Sequence, residues 1–403
     1  MEEEQLTILC ITSYRKGDEF MRQCRREGCR VVLLTSKSLE GADWPMDCID
    51  EIFYIPDVDK EWNMHDVIYG VSFMARTEKI DRIVALDDYD VEKAAAVREH
   101  LRVPGMGDTT ARYFRDKLAM RTRAFADGIM VPEFVHVLNY DTIREYLRVV
   151  PPPYVLKPRF EAGAIGIKKL QAGEDLWAIL EELGDEQSFY LLEHFVPGDV
   201  YHVDSIVYDD QVVFAIASQY GAPPMEVAHE GKVFTTRTLL RGTDDEQALL
   251  EENRHLLSVL GLKQGVSHTE FIKRSDDGEI YFLETSARVG GAHIVDLVEA
   301  AMGLNLWAEW ARIECVRAGD RYVLPDHRDN YAGLLISLAR QESADMSAYD
   351  DPEVVWKLNK RHHAGLVVSS PSHERVEALL EAYTLRFYTD FFATAPMPDR
   401  PTD

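Results

Sequence analysis

The chain has 403 residues, of which 46% are hydrophobic and 28% are charged, and this composition predicts two or three folded domains rather than disorder. The 44 basic and 70 acidic residues give a net charge of 44 − 70 = −26, which argues against nucleic acid or an anionic membrane surface as the main partner. A small anionic ligand is not excluded, because a site can be locally basic inside an acidic protein.

The sequence predicts a cytoplasmic protein. The apolar run at 6–11 follows acidic residues and is too short for a secretory signal, and no window approaches the 18 uncharged apolar residues of a membrane span. The five cysteines are odd in number and include no C-x-x-C motif. Reduced thiols therefore fit better than a disulfide framework or a zinc site.

Strand and helix patterns alternate over residues 1–107, which predicts a parallel α/β domain. Short apolar runs at 6–11, 31–34 and 82–86 read as buried strands, with helices between and after them. Three acidic residues follow the third run, at the end of the strand where parallel sheets bind ligands. They also fit a solvated loop that caps the next helix, and both interpretations stay open for Asp87, Asp88 and Asp90.

Residues 108–330 predict a different architecture. Asp108 can cap one helix over 109–127, which Gly128 would end. Beyond the three prolines at 151–153 the strand patterns look antiparallel, with a small lid subdomain around 150–200. A smaller α+β lid is predicted at 331–395 and a tail at 396–403. The predicted strands of the antiparallel region are 154–157, 189–193, 200–208, 211–218, 266–274 and 280–286.

The strands at 266–274 and 280–286 carry the strongest chemical signal. A turn at 275–279 places Arg274 opposite Ile280, and therefore Glu270 opposite Glu284. Two carboxylates facing each other across a ladder repel, unless a cation lies between them. Oxygen ligands without cysteine favour Mg²⁺ or Mn²⁺ over zinc. The alternative is an exposed hairpin whose acidic residues face water.

Residues on the same strand faces extend this pattern. His268 lies on the face of Glu270, and Arg288 lies on the face of Glu284, because the strand period is two. A guanidinium beside metal-bound phosphate can neutralise developing charge. Gly290 and Gly291 precede a helix predicted at 293–302, where free backbone N–H groups can bind an anion.

Two further segments fit nucleotide binding. Lys157 lies on a buried strand ahead of a loop containing Gly163 and Gly166, which can fold over polyphosphate, although hairpin turns explain most such loops. The buried strand at 189–193 ends in a Pro-Gly turn, where unpaired backbone groups could meet a purine ring. Glu193 and His202 could then reach a ribose.

Taken together, these segments resemble the ATP-grasp superfamily, and the resemblance extends over most of the chain. The motifs that carry it are Arg115-Asp116-Lys117, the strand Val155-Leu-Lys157-Pro with its glycine loop, Glu193-His-Phe-Val196, His268-Thr-Glu270, and Glu284-Thr-Ser-Ala-Arg288-Val-Gly-Gly291. The nearest branch is the carbamoyl-phosphate-synthetase-like and biotin-carboxylase-like one, especially its stand-alone amino-acid ligases. The implied fold is an α/β pre-ATP-grasp domain followed by an ATP-grasp body of two α+β subdomains.

The resemblance also implies roles for individual residues. It assigns phosphate contacts to Lys117 and Lys157, with the loop of Gly163 and Gly166 as a lid. Adenine and ribose contacts fall to Glu193, Phe195, Val196 and His202. Metal contacts fall to Glu270 and Glu284, joined by Ser286 where the family usually has Asn. Arg288 would stabilise an acyl phosphate. The resemblance does not identify the substrate, but the sequence suggests that residues near the acyl site include Tyr220, Arg237, His268, Arg288, Gly290, Gly291 and His293. An ordinary hydrogen-bonded histidine stays the alternative for His268 and His293.

The implied activity is an ADP-forming carboxylate–amine ligase that uses ATP and Mg²⁺ or Mn²⁺ and joins amino-acid-like substrates. Two alternatives stay open, a bicarbonate-using carboxylase-type ligase and a nucleotide-binding regulatory protein that has lost catalysis. The absence of a Met-Lys-Met biotin-attachment sequence disfavours a full carboxylase. The expected partners are small molecules, with no nucleic acid and no membrane, and a homodimer is left open.

Overall fold

The computed structural model describes residues 5–394, and its first part is a parallel α/β domain, as predicted. Its elements are β1 (Thr7–Thr12), α1 (Asp18–Arg26), β2 (Arg30–Ser36), β3 (Glu51–Ile55), β4 (Asp57–Val58), β5 (Glu61–Trp62), α2 (Met64–Met74), β6 (Arg82–Ala85) and α3 (Val91–Leu101). The main sheet has the order β3-β2-β1-β6 and is entirely parallel. Ile8 and Cys10 of β1 pack toward α1, whereas Leu9 and Ile11 pack toward α2 and α3. Both faces of the sheet are therefore covered, which explains its unbroken apolar runs.

A small antiparallel sheet forms the next layer. Its strands and helices follow two short helices, and the elements are α4 (Asp108–Arg112), α5 (Lys117–Ala126), β7 (Phe134–His136), α6 (Tyr140–Val149), β8 (Tyr154–Pro158), β9 (Lys168–Leu170), α7 (Glu174–Leu183) and β10 (Tyr190–His194). The strand order is β7-β10-β8-β9. Leu156, Leu176 and Leu192 pack in one core between this sheet and its helices. The position of this unit lets its strands and loops reach over the larger sheet.

An eight-stranded antiparallel sheet forms the body. Its elements are β11 (Gly198–Tyr208), β12 (Gln211–Tyr220), α8 (Pro224–Glu230), β13 (Phe234–Thr238), α9 (Asp244–Leu260), β14 (Gly265–Arg274), β15 (Ile280–Ser286), α10 (Ile294–Met302), α11 (Leu306–Glu314), β16 (Tyr331–Leu338), β17 (Val354–Lys357), β18 (His363–Ser370) and α12 (His373–Asp390). The strand order is β15-β14-β11-β12-β13-β16-β18-β17. The expected combination of a parallel α/β part with antiparallel α+β parts is thus confirmed.

The single helix predicted over 109–127 is wrong, because the chain breaks between α4 and α5. The Asp116 carboxylate accepts a hydrogen bond from the backbone N–H of Leu118 at 3.0 Å and caps a new helix there. The same carboxylate accepts a hydrogen bond from Arg159 Nε at 2.9 Å. The break depends on a partner 43 residues away in the chain, so the local helical pattern does not reveal it.

The C-terminal segment continues the body sheet. β16 pairs with β13, placing Gly333 opposite Arg237, and α12 packs against β16 and β18. The boundaries drawn at 107 and 330 stay a prediction, and the predicted tail at 396–403 lies outside the described residues. Within residues 5–394, no helix has the length and apolar character needed to cross a membrane.

Two leucines of α12 provide a matched test of this packing. Leu379 is buried at 4% exposure, whereas Leu385 is 67% exposed. We expect Leu379→Ala to lower the free energy of unfolding by about 2–5 kcal/mol, because it removes apolar contacts and leaves a cavity. Leu385→Ala should change it by less than about 0.5 kcal/mol. Urea unfolding followed by circular dichroism measures both, and equal losses would contradict the packing of α12 on the sheet.

Candidate functional site

A cavity of about 720 Å³ lies between the small sheet, the body sheet and the N-terminal domain. Within the described residues, five lysine and arginine side chains line it although the protein is strongly acidic, namely Arg115, Lys117, Lys157, Lys169 and Arg288. Glu270 and Glu284 share its wall with these cations. The cavity therefore gathers opposite charges from distant parts of the chain.

Glu270 and Glu284 face each other across the β14–β15 pair, as the hairpin pattern predicts. The predicted turn register is wrong by one residue, since Ile280 pairs with Lys273 rather than with Arg274. An irregularity after Glu270 takes up the extra residue and restores the predicted pairing. The two carboxylates therefore meet because of a bulge that the sequence pattern did not reveal.

Lys117 neutralises the carboxylate of Glu284. It is the first residue of α5, its side chain is only 8% exposed, and its Nζ lies 2.9 Å from Glu284 Oε2. Arg288 follows β15 and donates a hydrogen bond to the backbone oxygen of Val289 at 2.7 Å, while its buried Nε has no hydrogen-bond partner among residues 5–394. A buried donor of this kind fits a bound anionic group.

Polar neighbours from two strands hold the second carboxylate. Glu270 accepts a hydrogen bond from the Tyr220 hydroxyl at 2.8 Å, and His268 Nε2 lies 3.7 Å from the same oxygen. Burial alone would raise the pKa of Glu270, but His268 and Tyr220 lower it below its ordinary value. The carboxylate is therefore kept in its charged form inside the cavity wall.

Asp204 connects two histidines behind this wall. Its oxygens lie 2.9 Å from His268 Nδ1 and 2.7 Å from His202 Nδ1, and all three residues are buried. Burial would lower the pKa of His268, but Asp204 and Glu270 raise it to about 9. His268 therefore lines the cavity as a protonated imidazolium.

The predicted ribose contact of His202 does not fit the structure. His202 is fully buried, does not line the cavity, and its second ring nitrogen is bonded to Thr236 at 2.8 Å. Its ring instead lies 4.7 Å from that of Tyr220.

Lys157 and Glu193 form a buried ion pair across β8 and β10. Lys157 Nζ lies 2.6 Å from one oxygen of Glu193, and Arg121 Nε lies 2.5 Å from the other. Burial would raise the pKa of Glu193, but Arg121 and Lys157 lower it below its ordinary value. Glu193 lines the cavity, and each of its oxygens already binds a cation, so a ribose hydroxyl would share one of these oxygens with Lys157 or Arg121.

The glycine loop at 161–166 reaches over the cavity and contacts the N-terminal domain. The Tyr89 hydroxyl donates a hydrogen bond to Glu161 Oε2 at 2.9 Å and accepts one from the N–H of Ala162 at 3.3 Å. Gly163 and Gly166 have positive φ, and only Gly163 lines the cavity. A Cβ on Gly166 would lie 2.8 Å from Pro158, so its role is to let the loop turn back.

The remaining predicted residues divide between the cavity and its surroundings. Phe195, Val196 and Gly291 line the cavity, whereas Gly290 packs behind it. His293 does not line it, because its ring is bonded to Asp296 at 2.9 Å and lies beside Trp356. The predicted substrate contact of His293 is therefore not supported by its position.

Ser286 lies in the cavity wall together with Asp88 and Arg115, for which the sequence suggested no definite role. Asp88 follows β6 and forms an ion pair with Arg115 at 2.7 Å. Burial would raise the pKa of Asp88, but Arg115, Arg288 and Ser286 lower it. Of the acidic residues after β6, Asp88 thus lines the cavity whereas Asp87 and Asp90 do not, and the position at a strand end was the available signal.

Helix α8 was not predicted from the sequence. It covers one side of the cavity with Met225, Glu226, His229 and Glu230. Pro224 at its first position and Gly231 at its end are the usual signals of a short helix. Lys232 holds Glu226 and Glu230 in ion pairs of 2.7 and 2.9 Å.

Comparison with known proteins agrees with this geometry. Residues 150–296 match the ATP-grasp domain family. The L-arginine-specific L-amino acid ligase of Bacillus subtilis is 25% identical over 285 residues, which span 68% of this chain and 67% of that protein. The alanine–anticapsin ligase of Bacillus subtilis is 21% identical over 294 residues, which span 67% of this chain but only 60% of the relative.

The solved structures agree on the fold. The crystal structure of an L-amino acid ligase from Bacillus licheniformis superimposes with a TM-score of 0.76 over 97% of this chain and 100% of that one, at 16% identity. Other structures with this fold contain ATP or magnesium ADP. The domain match, the curated relatives and the fold agree: residues 150–296 match the ATP-grasp domain, and the chain is similar in sequence and in fold to ligases of this kind.

Proposed function

We propose that the chain is an ATP-dependent carboxylate–amine ligase that joins amino-acid-like substrates and releases ADP and phosphate. The observation that carries this proposal is the facing pair of Glu270 and Glu284 in a cavity lined by Lys117, Lys157 and Arg288. Phosphoryl transfer depends on placing cations around a polyphosphate, which is the charge pattern of this cavity. The relatives that join amino acids support the substrate class.

The facing carboxylates fit a divalent cation. Their ligand atoms are oxygens, and the Lys117 ammonium already lies 2.9 Å from Glu284, so this wall favours a positive charge. Glu270 and Glu284 would hold Mg²⁺ or Mn²⁺, with Ser286 as a further oxygen nearby. Bound there, the cation would neutralise charge on the transferring phosphoryl group.

The protein side chains have separate tasks in the proposed reaction. Lys117 and Lys157 hold the phosphates while a substrate carboxylate attacks the γ-phosphorus, forming an acyl phosphate and ADP. An amine then attacks the acyl carbon, the amide bond forms, phosphate leaves with the bonding electrons, and the amine loses a proton to solvent. Arg288 donates to the oxygens on which negative charge develops. Phe195 and Val196 supply an apolar wall suited to adenine.

A screen for activity tests this proposal against its alternatives. Purified chain is incubated with ATP, Mg²⁺ and pairs of amino acids, and products are read by mass spectrometry together with ADP release. ADP release that depends on both an acid and an amine supports the ligase. Turnover with bicarbonate alone would favour a carboxylase, and no turnover with any pair would favour a regulatory ATP-binding protein. Homodimerisation and a cytoplasmic location stay predictions.

Removing one carboxylate charge tests the metal assignment. We expect Glu284→Gln to lower kcat about 10²–10³-fold, because the cation loses an anionic ligand at the phosphoryl group. The neighbouring exposed Glu279→Gln, in the turn of the same hairpin, should leave kcat unchanged. Circular dichroism checks that both variants are folded, and near-normal turnover by Glu284→Gln would refute the assignment.

Weakening the contact between loop and N-terminal domain tests the lid. Tyr89→Phe removes the hydroxyl that joins Glu161 and the N–H of Ala162. The two hydrogen bonds together are worth about 1–2 kcal/mol, so the loop should open about 5- to 30-fold more often. We expect ADP release without amine to rise and amide formed per ADP to fall, because water reaches the acyl phosphate. Tyr69→Phe, at a 69% exposed position, is the control, and an unchanged coupling ratio would contradict the lid.

The protonation of His268 can be measured in metal-free protein. Because folding raises its pKa to about 9, its stabilising contribution is complete below about pH 6.5 and is lost as pH rises through about 9. In Asp204→Asn the pKa should fall, since Asp204 is the main group that raises it. NMR titration of the imidazole, assigned with His268→Gln, measures this. Asp296→Asn, which removes the partner of His293, should have no effect on His268, and an unshifted pKa in Asp204→Asn would contradict the network.

A further inference from the structure

A second cavity, of about 350 Å³, lies between the N-terminal domain and the body sheet. It shares no lining residue with the first cavity. Its walls come from β6 and α3 on one side and from the start of β14 and α11 on the other. Apolar residues form part of these walls, including Ile83, Val91, Leu262, Val266 and Trp310.

A guanidinium without a carboxylate partner lines this cavity. Arg98 on α3 donates a hydrogen bond to the backbone oxygen of Ile83 at 2.8 Å and another to that of Met106. Among residues 5–394 it forms no ion pair, and burial lowers its pKa despite the more distant charge of Glu314. Gly105 keeps room for it, because a Cβ there would lie 2.8 Å from Arg98 Cδ.

A carboxyl group without a cationic partner lines the same cavity. Glu314 on α11 accepts hydrogen bonds from Trp310 Nε1 and Gln264 Nε2, both at 3.2 Å. In the described part of the chain it forms no ion pair, and burial raises its pKa even though Arg98 and Arg82 oppose the shift. Trp310 is itself held beside Gly265, where a Cβ would approach its Nε1 to 3.3 Å.

We propose that this second cavity binds a free α-amino acid, with its carboxylate on Arg98 and its ammonium on Glu314. Two poorly solvated charges of opposite sign, each without an ion-pair partner, are stabilised together by a ligand that carries both charges. Glu314 would repel a phosphate or other simple anion, and Arg98 would repel a simple amine. The apolar walls favour an amino acid with an aliphatic side chain. This proposal does not depend on the ligase activity of the first cavity.

The test compares one amino acid with its two halves on the full chain. L-Leucine carries both charges, 4-methylpentanoate lacks the amine, and 3-methylbutylamine lacks the carboxylate. We expect L-leucine to change the tryptophan fluorescence saturably, and each half to bind at least about tenfold more weakly. The fluorescence change should disappear in Trp310→Phe, because Trp310 lines the cavity and is bonded to Glu314.

Variants separate this site from the first cavity. Glu314→Gln keeps an oxygen that can accept from Trp310 but removes the charge, so L-leucine should bind at least about tenfold more weakly. Arg288→Gln, in the first cavity, should leave the fluorescence titration unchanged. The proposal is overturned if 4-methylpentanoate binds as tightly as L-leucine, or if Glu314→Gln binds L-leucine with unchanged affinity. It is also overturned if the fluorescence change disappears in Arg288→Gln, or if no fluorescence change depends on Trp310.

Discussion

The repulsion between two carboxylates governs the design of the first cavity. Glu270 and Glu284 are held opposite each other by strands that the rest of the sheet fixes, so they cannot move apart. The protein compensates each one separately, with the Lys117 ammonium 2.9 Å from Glu284 and with the Tyr220 hydroxyl and the His268 imidazolium beside Glu270. A cation between the two carboxylates would reduce the same repulsion, so this wall of the cavity suits a metal ion.

The compensating charges arrive from parts of the chain that fold into different layers. Lys117 comes from α5, Lys157 from the small sheet, and the Asp88–Arg115 pair from the N-terminal side. Buried ion pairs of this kind gain little net stability, because desolvation offsets attraction. Their effect is positional, since the Lys117–Glu284 and Asp88–Arg115 pairs form only when different layers have assembled, whereas Lys157 is held by Glu193 within the small sheet. The site is therefore a product of the whole fold rather than of one motif.

Local pattern predicted the elements of this fold better than their junctions. Strand alternation located β14 and β15 and placed Glu270 and Glu284 on matching faces, because period two is a local property, but their direct pairing also required the bulge. The bulge beside Glu270, the break before Lys117 and the contact of Tyr89 with Glu161 were not predictable in this way. Each depends on a partner that is distant in the chain, and local sequence patterns do not identify that partner. The pairing of β16 with β13 was not predicted for the same reason.

Gly290 shows how one residue can satisfy a pattern for a different physical reason. Its place before α10 predicted backbone N–H groups open to an anion, yet the glycine packs behind the cavity. A Cβ there would lie 2.9 Å from Asp204 Oδ1 and 3.0 Å from His268 Nδ1, closer than a carbon can approach without displacing the hydrogen bond between them. The missing side chain therefore protects the Asp204–His268 contact, which keeps His268 charged and in turn lowers the pKa of Glu270. A glycine outside the cavity thus helps to set the charge of a carboxylate inside it.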